Sequence, residues 1–158
     1  RSISTLPANW RGEADGVFGK GVSFCADLRA SACGRFLYAT NRGHDSVAVV
    51  RVTDVDADGG DGGNAGADAD AAPVALEAAQ HMRTGGPTPR SCALLALSGG
   101  GEGGGSNTFL AVANQDAGAD NLKLFSLDAG SGLLPTFGGD KARATVASAN
   151  CLCWVPDN

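Results

Sequence analysis

The chain has 158 residues, a net charge of −5, 24 glycines and only 6% aromatic side chains. An acidic balance offers no footprint for nucleic acid or an anionic membrane, and no apolar run is long enough to cross a bilayer or serve as a secretory signal. The expected setting is cytoplasmic, and the five cysteines, an odd number largely in apolar strand-like surroundings, are expected to be buried reduced thiols.

In chain order, Ser2 to Pro7 reads as a strand end, followed by an irregular loop rich in Gly and charge up to residue 22. Val22 to Arg29 is the first full strand and Ser31 to Gly34 its hairpin turn. Arg35 to Thr40 is the second strand, Asn41 to Asp45 the next turn, and Ser46 to Thr53 the third strand. That third strand is apolar at nearly every position, which suits burial on both faces. Asp54 to Ala72 is a low-complexity acidic stretch. Its opening places Asp54, Asp56 and Asp58 as in an EF-hand loop, but Ala65 stands where the bidentate Glu belongs and no amphipathic helices flank it. A solvated hairpin extension is expected there, with no metal site.

Pro73 to Gln80 reads either as a fourth strand, from Val74 and Leu76, or as a helical turn, which Ala75, Glu77, Ala78 and Ala79 would also suit, and Thr84-Gly-Gly-Pro-Thr-Pro-Arg90 reads as a rigid loop ending in a cation. Ser91 to Leu97, Thr108 to Asn114 and Asn121 to Leu127 repeat the strand pattern, with a Gly-rich hairpin over 99–105 and a tight turn over Asp128 to Gly132. Thr145-Val146 and Cys151 to Val155 read as short closing strands. The C-x-C of Cys151 and Cys153 has no further soft ligand spaced to complete a metal site, so packing is expected of it.

The decisive pattern is a repeat. Phe36-Leu-Tyr-Ala-Thr-Asn41 and Phe109-Leu-Ala-Val-Ala-Asn114 both open on Phe-Leu, carry Asn five residues after the Phe, and lead through a polar turn into a second strand. A repeated unit with only β signals predicts an all-β fold of propeller blades. At roughly 40–50 residues per blade the chain holds about three, fewer than a closed propeller needs. Starting at Arg1 within a strand end, it is expected to be the C-terminal part of one larger propeller domain, with the remaining blades on its N-terminal side.

Matching loops of successive blades gather on one rim, which predicts that Asn41, Arg42, Arg90, Asn114 and Gln115 converge although they are far apart in sequence. Two arginines with amides describe a pocket for a small anion, because a guanidinium recognises phosphate or carboxylate bidentately. His44, in the same loop as Arg42, is a candidate for proton transfer or for capping its turn. Asp27 and Arg29 lie two apart on one strand face, where they form an ion pair or line the axial channel. No nucleophile elbow, zinc-binding helix motif or P-loop occurs, and no cofactor is expected.

The string Phe36 to Val49, with Asn41-Arg42-Gly43-His44-Asp45-Ser46 at its centre, resembles the signature of the seven-bladed lactonase propellers, which include cycloisomerase-type 6-phosphogluconolactonases and fungal carboxymuconate lactonizing enzymes. Ser4 to Pro7, Thr84 to Arg90, Phe109 to Gln115 and Val146 to Val155 resemble further family segments. The resemblance implies the last three of seven blades. It also implies hydrolysis of 6-phosphogluconolactone, a carbohydrate-pathway step that feeds the pentose phosphates, with Arg42 and Arg90 holding the anionic substrate. Two other readings share the scaffold: a carboxymuconate-type cycloisomerase and a non-catalytic binding platform. The family's acid/base motif, Asn-Glu-Leu, would precede Arg1. Departures occur at Asp27, Arg29 and Ala32-Cys33, where the family pattern has Glu, His and Pro-Asp. The catalytic candidates are thus Arg90, Arg42 and His44, and the substrate-binding candidates Asn41, Arg29, Asn114 and Gln115.

Overall fold

The computed structural model describes residues 2–12, 21–54, 74–98, 106–117, 121–135, 143–146 and 149–153. Among these residues the fold is all-β and contains no helix. Eight strands run Phe24–Ala30 (β1), Phe36–Arg42 (β2), Ser46–Asp54 (β3), Val74–Arg83 (β4), Pro89–Ser98 (β5), Ser106–Asn114 (β6), Leu122–Ser126 (β7) and Arg143–Ala144 (β8). They form two antiparallel sheets in strict chain order, β1-β2-β3-β4 and β5-β6-β7-β8. Four strands meandering up and down in sequence order are the unit of a propeller blade.

The repeat is realised in register. Phe36 pairs with Arg51 across β2 and β3, and Phe109 with Ser126 across β6 and β7. Each Phe therefore lies on the second strand of its own blade. Asn41 stands next to the end of β2, facing Ser46, and Asn114 ends β6, receiving the neighbouring strand through Asn114 N–H to Asn121 O at 2.7 Å. Among the described residues two four-stranded sheets are formed, with the segments 55–73 between β3 and β4 and 99–105 between β5 and β6. Those segments lie outside the described residues, as does most of the acidic stretch from Asp54 to Ala72.

The blades pack face to face. Phe36, Tyr38, Val47 and Val49 from the first blade meet Cys92, Leu110 and Val112 from the second, with Leu134 closing the layer. Ser46 to Val50 are all buried, as the continuous apolar run of β3 predicted. A mutual amide pair ties the layer further: Gln80 Nε2 donates to Leu134 O at 2.7 Å and Leu134 N donates to Gln80 Oε1 at 2.9 Å. Gly132 sits against the Phe36 ring at φ +67°, where any Cβ would overlap the ring. Its carbonyl accepts the buried Tyr38 hydroxyl at 2.9 Å, and burial pushes the Tyr38 pKa up to about 12.

The ends depart from the sequence reading. Ser2 to Pro7 form no strand and instead bend across the first blade, held by the Asn41 side chain. Residues 145–146 and 151–153 are also not strands. Asn121 takes the place of a ladder by exchanging both side-chain bonds with the Val146 backbone. Of the five thiols, none of them in a disulfide, only Cys92 is buried, and burial pushes its pKa up to about 12. Cys33 stands in the exposed β1–β2 turn, and Cys25, Cys151 and Cys153 are exposed as well. Apolar neighbours in sequence misled here, because none of these four falls in the buried apolar layer between the blades.

Candidate anion-binding cleft between the blades

The β2–β3 turn shows how a short sequence sets a rim. Gly43 has φ +92°, and a Cβ there would overlap the Val22 carbonyl oxygen, so glycine is required by both conformation and space. Asp45 follows at φ 53°. Its carboxylate Oδ1 accepts the Gly43 amide at 3.1 Å and the Thr88 amide at 2.9 Å, joining the turn to the Gly/Pro loop of the next blade. Thr88, itself at φ 56°, then feeds directly into Pro89 and Arg90. Arg90 is therefore the second residue of β5 rather than the tip of a loop. This arrangement delivers Arg42, at the end of β2, and Arg90, at the start of β5, to one place.

That place is a cleft of about 350 Å³ where the blades meet, bounded by Arg29, Arg42, Arg90, Asp27, Ser91 and Cys25 with the 150–151 segment. The volume falls in the roughly 300–1,000 Å³ range of small-molecule sites. Three guanidinium groups face one carboxylate, so the cleft carries a surplus of positive charge. Arg42 lies over the Phe24 ring, 5.7 Å from its centroid. Arg90 Nη1 donates to Gln115 Oε1 at 3.0 Å. Arg29 is bound to Asp27 at 3.1 Å and donates through Nε to the Cys92 carbonyl at 2.9 Å. The Cys25 thiol pKa is raised, first by burial and then by the Asp27 charge, with Arg42 opposing.

The remaining candidates are placed elsewhere. Asn41 is fully buried as a clamp: it accepts Thr5 Oγ1 at 2.7 Å and donates to Thr5 O at 2.8 Å and Ser46 Oγ at 3.3 Å. Asn114 is equally buried, with Nδ2 toward Thr84 O at 3.4 Å, and Gly86 lies so close that a Cβ there would press on the amide. These two residues hold the rim loops. His44 is buried and is not among the residues bounding the cleft. Its Nδ1 is 2.6 Å from Ser46 Oγ, and its ring meets Trp10 at 5.7 Å and His81 at 6.4 Å between centroids, both edge-on. The turn-capping alternative for His44 matches this geometry. No cluster of three metal-ligating side chains occurs among the described residues.

Sequence reasoning passed over Ser91 and the positioning of Asp27. Ser91 Oγ donates to Asp27 Oδ2 at 3.1 Å and accepts the Leu152 amide at 3.1 Å, so it ties the cleft to the C-terminal segment. Its position directly after Arg90 was the available signal.

A meander of four strands repeated with a shared apolar layer and a cleft at the blade junction defines part of a β-propeller. Residues 1–60 match the family model described as Lactonase, 7-bladed beta-propeller. An uncharacterized protein of Lactococcus lactis subsp. cremoris (strain MG1363) is 31% identical over 134 residues, covering 85% of this chain and 28% of that protein. The uncharacterized protein YwcC of Lactococcus lactis subsp. lactis (strain IL1403) is 43% identical over 53 residues, 34% of this chain and 13% of that one. A crystal structure of a protein from Lactobacillus plantarum superposes with a TM-score of 0.59 at 27% identity, covering 94% of this chain and 32% of that one. These matches support a place for the chain in the β-propeller lactonase family, and it spans about a third or less of the length of these relatives.

Proposed function

We propose that the whole protein hydrolyses the lactone of an anionic sugar acid, with 6-phosphogluconolactone, giving 6-phosphogluconate, as the substrate that best suits this cleft. The observation that carries the reading is the convergence of Arg29, Arg42 and Arg90 on one cavity that holds a single carboxylate among its described lining residues. A phosphate dianion balances such a surplus, and planar guanidinium forks recognise it with two parallel bonds each. A guanidinium near the ring carbonyl also stabilises the negative charge that develops on the lactone oxygen as water adds. Asp27 is engaged by three donors on Oδ2 and one on Oδ1, so proton transfer falls to a group contributed by the rest of the propeller.

The test uses full-length protein, with acid release from 6-phosphogluconolactone and from unphosphorylated gluconolactone followed against spontaneous hydrolysis. Enzymatic turnover that favours the phosphorylated substrate, and an Arg42→Ala variant weakened on it, supports the reading. Hydrolysis no faster than in buffer points to a binding platform. Turnover of a carboxymuconate instead moves the activity to cycloisomerisation.

A further inference from the structure

Asp27 occupies an irregular place in the ladder. The β1–β2 register runs Cys25 to Asn41 and then Leu28 to Ala39, so Ala26 and Asp27 together oppose Thr40. This is a β-bulge, which re-aims a side chain and recurs beside active sites. The amide freed by the bulge is taken up by Thr40 Oγ1, which accepts from Asp27 N at 3.1 Å. The carboxylate turns toward the second blade and is largely buried, with 16% of the side chain exposed.

Its oxygens are then occupied in a defined way. Oδ2 accepts the Cys92 amide at 2.9 Å, Ser91 Oγ at 3.1 Å and Arg29 Nη2 at 3.1 Å, and Oδ1 accepts the Leu28 amide at 2.9 Å. Arg29 is held at a second nitrogen by its Nε bond to Cys92 O at 2.9 Å, yet 42% of its side chain stays exposed. Among the described residues no protein group takes Nη1. A guanidinium fixed at Nε and Nη2 keeps one orientation, which removes the entropy an exposed arginine would lose on gripping an anion.

We propose that Asp27 is a positioning residue for anion binding: it sets Arg29 at the cleft wall in a single orientation and locks that wall to the neighbouring blade. The proposal rests on the anion-cleft reading above. It has a sign that separates it from simpler roles. A carboxylate beside the cleft repels an anion, so deleting its charge alone would tighten substrate binding. Loss of the Arg29 orientation acts the other way.

The experiment measures kcat and KM for 6-phosphogluconolactone in full-length protein carrying Asp27→Asn, Arg29→Ala and both together, with melting curves alongside. Expected are a KM raised roughly tenfold by Asp27→Asn, in line with losing one charge-assisted contact, a smaller change in kcat, and no further rise when Asp27→Asn is added to Arg29→Ala. A KM that falls or stays level in Asp27→Asn overturns the proposal, as does full additivity in the double variant. Should Asp27→Asn fail to fold, Arg29→Lys serves instead. It keeps the charge but cannot make both anchoring bonds, so the same rise is expected, and an unchanged KM overturns the proposal. If Arg42→Ala and Arg90→Ala also leave both kcat and KM unchanged, the anion-cleft reading itself falls. If they impair either one and Asp27→Asn leaves KM unchanged, only the positioning role falls.

Discussion

Arg90→Ala is the perturbation that isolates the substrate contact from stability. Arg90 is exposed at the start of β5, bounds the cleft, and makes its protein hydrogen bond to Gln115 at 3.0 Å. Removing an exposed side chain of this kind changes folding by at most about 0.5 kcal/mol. A charge-assisted bond to a substrate anion is worth about 1.5–3 kcal/mol. At 1.36 kcal/mol per decade this becomes roughly a 10- to 150-fold loss in kcat/KM for 6-phosphogluconolactone. If Arg90 grips the phosphate equally in ground and transition states, the loss appears in KM; if it faces the lactone oxygen, it appears in kcat. Arg90→Lys recovers part of the loss, since a point charge replaces the fork. The gap between wild type and Arg90→Ala also narrows as salt rises, because an exposed charge is screened over about 8 Å at physiological ionic strength. The assay is steady-state acid release by full-length variants at two salt concentrations, with thermal melts as the control. An Arg90→Ala enzyme with unchanged kcat/KM, measured beside an Arg42→Ala enzyme that has lost activity, refutes the assignment of Arg90.

Three further outcomes are expected. Gly43→Ala forces a Cβ onto the Val22 carbonyl at φ +92° and should destabilise full-length protein by about 1–3 kcal/mol, seen as a lower melting temperature; an unchanged melt rejects the turn argument. Replacing residues 55–73 by Asn-Gly should leave the blade intact, because Asp54 and Val74 already pair across β3 and β4 at the hairpin mouth; loss of soluble, cooperatively melting protein counts against it. Iodoacetamide should label Cys33 far ahead of Cys92. A hydrogen bond from Ser31 and the nearby Arg35 lower the Cys33 pKa to about 7, whereas burial pushes that of Cys92 up to about 12. The Cys33 rate therefore climbs as pH rises through about 7 and levels off above it, and Ser31→Ala moves the rise to higher pH; a rate that first climbs near pH 9 in the wild type contradicts the assignment.

The blades were legible because their signals are local and doubled. Phe-Leu with Asn five residues later fixes a strand and its exit turn, and meeting that pattern twice gives the architecture without any long-range contact. The ends were not legible for the same reason. Ser2 to Pro7 has the composition of a strand, yet its backbone partner is the side chain of Asn41, and no periodicity announces a bond between residues 36 positions apart. The thiols show the limit from the other side. Cys25 and Cys92 both sit in apolar strands, and only the packing of one blade on the next decides that Cys92 is buried and Cys25 is exposed at the cleft.

The site divides along the same line. That Arg42 and Arg90 approach each other followed from the blade topology, since the end of β2 and the start of β5 lie on one rim of adjacent blades. What topology could not supply is which polar residues of the rim are spent on holding it. Asn41 and Asn114 repeat faithfully, and that regularity suggested a shared role at the substrate. Both are instead buried and spent on the chain around them, Asn41 on Thr5 and Ser46 and Asn114 on the Thr84 carbonyl. Asp27 departs from that regularity, re-aimed by a bulge that no sequence period encodes, and it holds Arg29 at the cleft wall. In a fold made by repetition, the repeated polar residues tend to maintain the unit, and the chemistry that distinguishes one cleft from the next comes from positions where the repeat fails. Arg29 and Asp27 are such positions, which is why their coupled substitution probes the function of this cleft more directly than any change at Asn41 or Asn114.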